Sequence, residues 1–166
     1  MPQGPAARIT DPVAHPLPPI LTGGPGSMDV VIGFLPAWRG VSAAAAAAIQ
    51  GAKAVSDAVI KTAEAATLAA AGTPGAPAAK AAEETCKAAA AAAMGSMISS
   101  LAMGADIHAC TTPLPAPPHG PGVVVDPSAT VMINNFGASR LGDTVVEAVG
   151  PPNKIVMGET TVIIGG

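Results

Sequence analysis

One pattern, written three times, limits the folds open to this chain. The first copy starts at Pro5-Ala6-Ala7-Arg8, reaches Asp11 and closes in Ser27-Met28-Asp29-Val30-Val31-Ile32-Gly33. The second starts at Pro36-Ala37-Trp38-Arg39, meets its aspartate at Asp106 and closes in Ser128-Ala129-Thr130-Val131-Met132-Ile133-Asn134. The third starts at Gly137-Ala138-Ser139-Arg140, meets Asp143 and closes in Glu159-Thr160-Thr161-Val162-Ile163-Ile164-Gly165. Arginine precedes aspartate by three residues in the first and third copies, and aspartate precedes the closing position by 22 in both and by 28 in the second. The arginine-to-aspartate interval of the second copy is 67, so about 64 extra residues interrupt it. Each closing run is β-branched and bounded by glycine, proline or asparagine, which predicts a strand. Asn134-Asn135 and Gly165-Gly166 supply turn chemistry. Repeats this short cannot each bury a face alone, and stacking them builds the core. Three unrelated hairpins in a sandwich would have to match arginine, aspartate and strand positions by chance.

Composition says what such a core lacks. The 19 glycines and 18 prolines lie mostly in the flanks, and the chain has one tryptophan, two phenylalanines and no tyrosine. Small domains this short of large apolar side chains recruit a metal or a partner chain. A net charge of −3 gives no basic footprint for nucleic acid. The N-terminal stretch MPQGPAARITDP has neither a basic nor an apolar segment of the kind a secretory signal needs, so none is expected.

The residues for a metal are present. Between Gly104 and Gly122 lie His108, Cys110 and His119, and the third histidine, His15, follows the first Asp-Pro. Three imidazoles and one thiolate complete a four-coordinate zinc set, with no position left open for a catalytic water. Each histidine alone reads better as a solvated loop residue. Together, each in a proline- and glycine-rich loop at a corresponding point of the pattern, they point to a structural site that ties the first two copies, the third contributing nothing. Cys86 and Cys110 could pair in principle, but a cysteine set among histidines reads as metal-binding. Asp11 and Asp106 either orient a ligating imidazole or pair with the repeat arginines, and the ion pair is the simpler reading. Arg8, Arg39 and Arg140 are then buried-edge partners or rim contacts. No nucleophile–base pair is visible and no glutamate lies near the histidines in the chain, so a zinc hydrolase has little support.

The interruption is helical. From Ser42, a plausible N-cap, alanine dominates to about Gly104, broken by Gly72-Thr73-Pro74-Gly75-Ala76-Pro77. Two helices are predicted, roughly 43–71 and 78–103, packed as an antiparallel hairpin. The predicted seam is Ile49, Ala52, Ser56, Val59, Ala63, Ala66 and Ala70 on the first, and Ala90, Met94, Met97 and Leu101 on the second. Asp57–Lys61 and Glu83–Lys87 have the favourable i,i+4 order and predict a solvated outer face. Cys86 reads as a small seam residue. Met94, Met97 and Met103 form either core or a partner groove. Lys53, Asp57, Lys61 and Glu64 argue against a membrane span by the first helix.

The repeated Pro-Ala-Ala-Arg motif with its aspartate, the partial echo at Pro36–Arg39, the strand endings and the histidine and cysteine positions resemble the PAAR-repeat family over residues 1–42 and 104–166. The resemblance implies a mainly β, pseudo-three-fold pointed β-cone built from three short repeats (about 5–35, 36–135 interrupted and 137–166). An Ala-rich antiparallel helical hairpin is inserted at 43–103, giving α+β overall. It implies a non-enzymatic tip, one per trimer, on the valine-glycine-repeat (VgrG-type) spike of bacterial type VI secretion or a related contractile injection machine. It also implies Zn2+ held by His15, His108, Cys110 and His119 near the point. The protein would be a monomer by itself, assembled in the bacterial cytoplasm, then injected with the spike and touching membrane only during puncture. The hairpin would dock an effector or adaptor, contact the spike shaft or only pack against the cone base; a rival reading makes its alanine helices a membrane-active element. Trp38 in place of alanine, the Gly-Ala-Ser-Arg variant and the long insertion depart from the family pattern and bear on the base of the cone.

Overall fold

The structure, a computed structural model, describes residues 3–14, 20–110 and 119–166. The fold is mixed α+β. Its strands are β1 (Gly4–Ala6), β2 (Val31–Ile32), β3 (Leu35–Pro36), β4 (Ile107–Cys110), β5 (Gly120–Val124), β6 (Met132–Ile133), β7 (Phe136–Gly137), β8 (Thr144–Glu147), β9 (Asn153–Lys154) and β10 (Glu159–Ile164). Between β3 and β4 run α1 (Ala43–Ala70) and α2 (Ala76–Ala102).

The three motif segments meet at their middle residues. Trp38 N–H donates to Ala7 C=O, Ser139 N–H to Trp38 C=O, and Ala7 N–H to Ser139 C=O, each at 2.9 Å. The hydrogen bonds close on themselves. Each arginine is stapled to its aspartate in the same way. The backbone N–H groups of Arg8, Arg39 and Arg140 reach the carboxylates of Asp11, Asp106 and Asp143 at 2.7, 2.8 and 2.9 Å. The guanidinium Nε atoms follow at 3.2, 3.0 and 3.0 Å, and each aspartate N–H returns to its arginine C=O at 3.1 Å. Arg39 and Asp106 keep this geometry although 67 residues separate them, so the insertion leaves and re-enters at one point. The arginines are thus buried-edge partners, and Asp11 and Asp106 pair with them.

On one side of this ring the closing runs form hairpins. Gly33-Phe34 and Asn134-Asn135 are two-residue turns with positive φ throughout (54°, 69°, 52° and 66°), the geometry that matches strand twist. The third such pairing joins β10 to β1, with Ile164 opposite Gly4 as Ile32 is opposite Leu35 and Ile133 opposite Phe136. Ala6, Ala37, Ala138, Ile32, Ile133 and Ile164 pack into one buried cluster, flanked by Val30, Val131 and Val162.

On the other side a second circuit forms. The four-stranded antiparallel sheet runs β4-β5-β8-β9. Beyond β9, Ile155 bridges Val13, and Pro12 bridges Ile20. Ala109 N–H on β4 then donates to Thr22 C=O at 2.6 Å. Inside lie Leu21, Trp38, Val124 and Val145, all 0% exposed, with Ala7, Val13 and Ile155. Trp38 fits because its counterparts in the ring, Ala7 and Ser139, are small, so one indole fills the space that the other two leave.

The hairpin roots on the outer face of this sheet, where Ala45, Ala46, Ile49, Met94, Ile98 and Ala102 meet Val123, Val125, Val146 and Ala148. Ser42 caps α1, its Oγ accepting from Ala45 N–H at 3.3 Å, and Pro77 sits in the first turn of α2. Met94 is core, Met103 is 81% exposed, and Cys86 is a free, half-buried thiol. The seam on α1 departs from expectation. Val59 is 53% exposed and Ile60 is buried, because beyond Ser56 the inward face steps by four rather than three, as a 3.6-residue period requires. The charge pattern also differs. Asp57 pairs with Lys53, not Lys61, and Glu83 is buried rather than solvated. Glu83 accepts from Lys80 and Lys87 at 2.9 and 2.7 Å, and Lys87 also reaches Glu64 across the hairpin at 2.7 Å. No helix among the described residues is long and apolar enough to cross a membrane.

Two outcomes follow from this packing. Trp38→Ala should cost about 3–5 kcal/mol, read from the urea midpoint. The ammonium of Lys87, then that of Lys80, holds the Glu83 carboxyl down at about 2 against an ordinary 4.5. A carboxyl depressed in the fold contributes stability above its unfolded value and loses it as pH falls through its folded one. Melting temperature should therefore decline between pH 4.5 and 2, and Glu83→Gln should flatten that limb.

Candidate metal centre

The sheet register builds the site. Side chains alternate faces along a strand, so His108 and Cys110 on β4 share a face. Gly122 on β5 stands opposite His108, and Glu147 on β8 stands opposite Gly122. His108, Cys110 and Glu147 therefore point into the interior of the strand circuit. Val123 and Val146 point the other way, into the helical hairpin. Gly122 is what lets the two outer side chains meet over the middle strand. A Cβ there would stand 2.7 Å from Glu147 Cγ, closer than such atoms come.

Glu147 is 0% exposed and lies between two imidazoles. Its Oε1 is 3.3 Å from His108 Nε2, and its Oε2 is 2.6 Å from His119 Nδ1. His108 is fully buried, and its Nδ1 accepts from Thr22 N–H at 3.3 Å. A neutral ring then carries its proton on Nε2, toward Glu147. His119 precedes β5. Its C=O accepts from Val149 N–H at 3.0 Å, and its ring lies against Gly150. A Cβ on Gly150 would meet His119 Nε2 at 2.8 Å, and φ there is +92°, so glycine is required twice over. Thr22 also places its Oγ on Ala109 C=O at 3.2 Å, docking the first segment alongside β4.

His108, Cys110 and Glu147 offer one donor atom each within 4.8 Å of one another, all buried. An imidazole nitrogen, a thiolate and a carboxylate oxygen suit a divalent ion of borderline softness, so this group could in principle hold a metal. Of the four ligands expected from the sequence, the structure brings His108 and Cys110 into that group and sets His119 against its glutamate. His15 lies outside the described residues. The third segment does reach this group, and a glutamate stands beside both histidines in space although none neighbours them along the chain. Strand pairing brings Glu147 beside residues 28 and 39 positions earlier in the chain. A signal for it was present: Glu147 follows Asp143 by four, as Cys110 follows Asp106 and His15 follows Asp11. A carboxylate at that offset carries no metal-binding signal of its own, since most glutamates are solvated.

Compared with known proteins, the chain matches no family model, no curated protein and no solved structure.

The crowding at Gly122 is testable. Gly122→Ala should push Glu147 off the histidines and cost about 1–3 kcal/mol. A stability within about 0.5 kcal/mol of the unsubstituted chain, the usual effect of an innocuous change, would mean that the approach is not tight.

Proposed function

We propose that this protein is a non-enzymatic tip that caps a three-fold spike of the contractile-injection type, its strand circuit forming a pseudo-three-fold cone whose narrow end is held by zinc. The observation that carries the reading is the closed ring of hydrogen bonds through Ala7, Trp38 and Ser139. A single chain with three equivalent faces fits a partner built from three identical ones. The resemblance of the motifs to PAAR repeats supplies the identity of that partner, a valine-glycine-repeat spike trimer.

The surface on the hairpin side of the ring agrees with docking there. Val31, Met132 and Ile163, at corresponding positions of the three closing runs, are 61%, 55% and 55% exposed. Phe34 is 98% exposed at φ +69° on its turn. A bulky aromatic held in the left-handed region, in water, gains nothing within the chain. A partner surface gives it a use. At the other end, an ion bound inside the strand circuit would tie its segments together, and metal binding adds directly to folding energy in so small a core. Burial of His108, Cys110, His119 and Glu147 to between 0 and 4% exposure favours this over hydrolysis, which needs a substrate to reach the ion. The distal helical hairpin, with its alanine surface and the charged groove of about 580 Å3 between Asp57, Lys61, Glu64 and the Val149–Pro152 loop, is the place for an effector or adaptor.

The test is co-purification with a spike trimer from the same genome. One chain per three spike chains is expected by native mass, and no complex at micromolar concentration would sink the reading. Phe34→Gly separates docking from folding. Release from the left-handed region should raise stability by about 1 kcal/mol, while spike affinity falls at least tenfold.

A further inference from the structure

Resting on the zinc reading above, we infer that Glu147 is itself a ligand through Oε1, and that His119 stands behind it as a hydrogen-bond donor to Oε2 rather than on the ion. Two distances separate these roles. Ligands sharing a tetrahedral ion at bonds of about 2.0–2.2 Å lie about 3.4 Å apart. His108 Nε2 and Glu147 Oε1 are 3.3 Å apart, long for a charge-assisted hydrogen bond and right for that edge. His119 Nδ1 and Glu147 Oε2 are 2.6 Å apart. That is too close for co-ligands and is the separation of a direct imidazole–carboxylate contact, near the 2.7–2.9 Å of charge-assisted pairs. Among the described residues, the donors that lie within 4.8 Å of one another are those of His108, Cys110 and Glu147.

Charge points the same way. Three neutral imidazoles and one thiolate would leave a dication with a net positive charge in a site that water does not reach. A thiolate and a carboxylate neutralise it, which removes the cost of burying an unbalanced charge. His119 then does what groups behind a ligand usually do, fixing the carboxylate's orientation. When the ion takes Nε2 of His108, the ring's proton passes to Nδ1 and the long Thr22 contact is given up. The third segment thereby joins the site through Glu147, at the same offset from its aspartate as Cys110.

The experiment uses the full chain, loaded with Zn2+ for affinity and with Co2+ for its visible ligand-field spectrum. Glu147→Gln should lower zinc affinity at least 100-fold and change the Co2+ spectrum. His119→Gln should keep one metal per chain and the native spectrum, with affinity down about 10–100-fold. If Glu147→Gln does not fold, Glu147→Asp decides, because a shorter carboxylate on the ion must shift the Co2+ bands. Native affinity and spectrum in Glu147→Gln, an unshifted spectrum in Glu147→Asp, or a changed spectrum in His119→Gln would overturn the inference while leaving the zinc reading in place. An unsubstituted chain that takes up no metal would remove the zinc reading itself.

Discussion

The hydrogen bonds that run from Trp38 to Ala7, from Ala7 to Ser139 and from Ser139 back to Trp38 fix the position of every other part of the strand framework. Three short segments far apart in the chain have little reason to meet through apolar burial alone, since two of the three residues are alanine and serine. The arginine–aspartate staples supply the reason. Each carboxylate accepts its arginine's backbone N–H and guanidinium together, which holds each turn in the shape that presents the middle residue to its neighbour. Buried pairs of this kind add little net stability over an apolar substitute, but removing one partner is severe, about 3–5 kcal/mol. They act as shape-holders. The burial that stabilises the fold lies above and below them, in the nine-residue alanine, isoleucine and valine cluster on one side and around Trp38 on the other.

That arrangement explains how the chain tolerates a long insertion. Arg39 and Asp106 hold the staple's geometry across 67 residues, so α1 and α2 enter and leave at one point and disturb neither circuit. Among the described residues, the root of the hairpin packs against Val123, Val125 and Val146. The rest is held by the contacts between the two helices and by the Glu64–Lys87–Glu83 ion pairs, together with the contact that buries Ile60.

Much of this was legible. Alanine content and the Gly-Thr-Pro-Gly break placed both helices to within a residue or two, because propensity summed over so many positions outweighs any single exception. The arginine–aspartate spacing located the three equivalent segments, because the staple is local in two of them. The inward face of α1 beyond Ser56 was not legible. Alanine is small on every side, and a near-uniform sequence carries no periodicity to read. The burial of Glu83 was not legible for a related reason: spacing along one helix says that a pair can form, not which side of the helix faces its partner.

The sequence by itself determined the repeated motif, the helices and the histidines and cysteine able to bind metal, because each is written in local spacing and in chemistry that side chains carry wherever they are placed. Tertiary structure alone decided which of them meet and which further residue joins them. Glu147 reaches His108 because Gly122, paired to both, has no side chain to keep them apart. That depends on the register of three strands, and register is set by the packing of whole faces rather than by any segment of the chain.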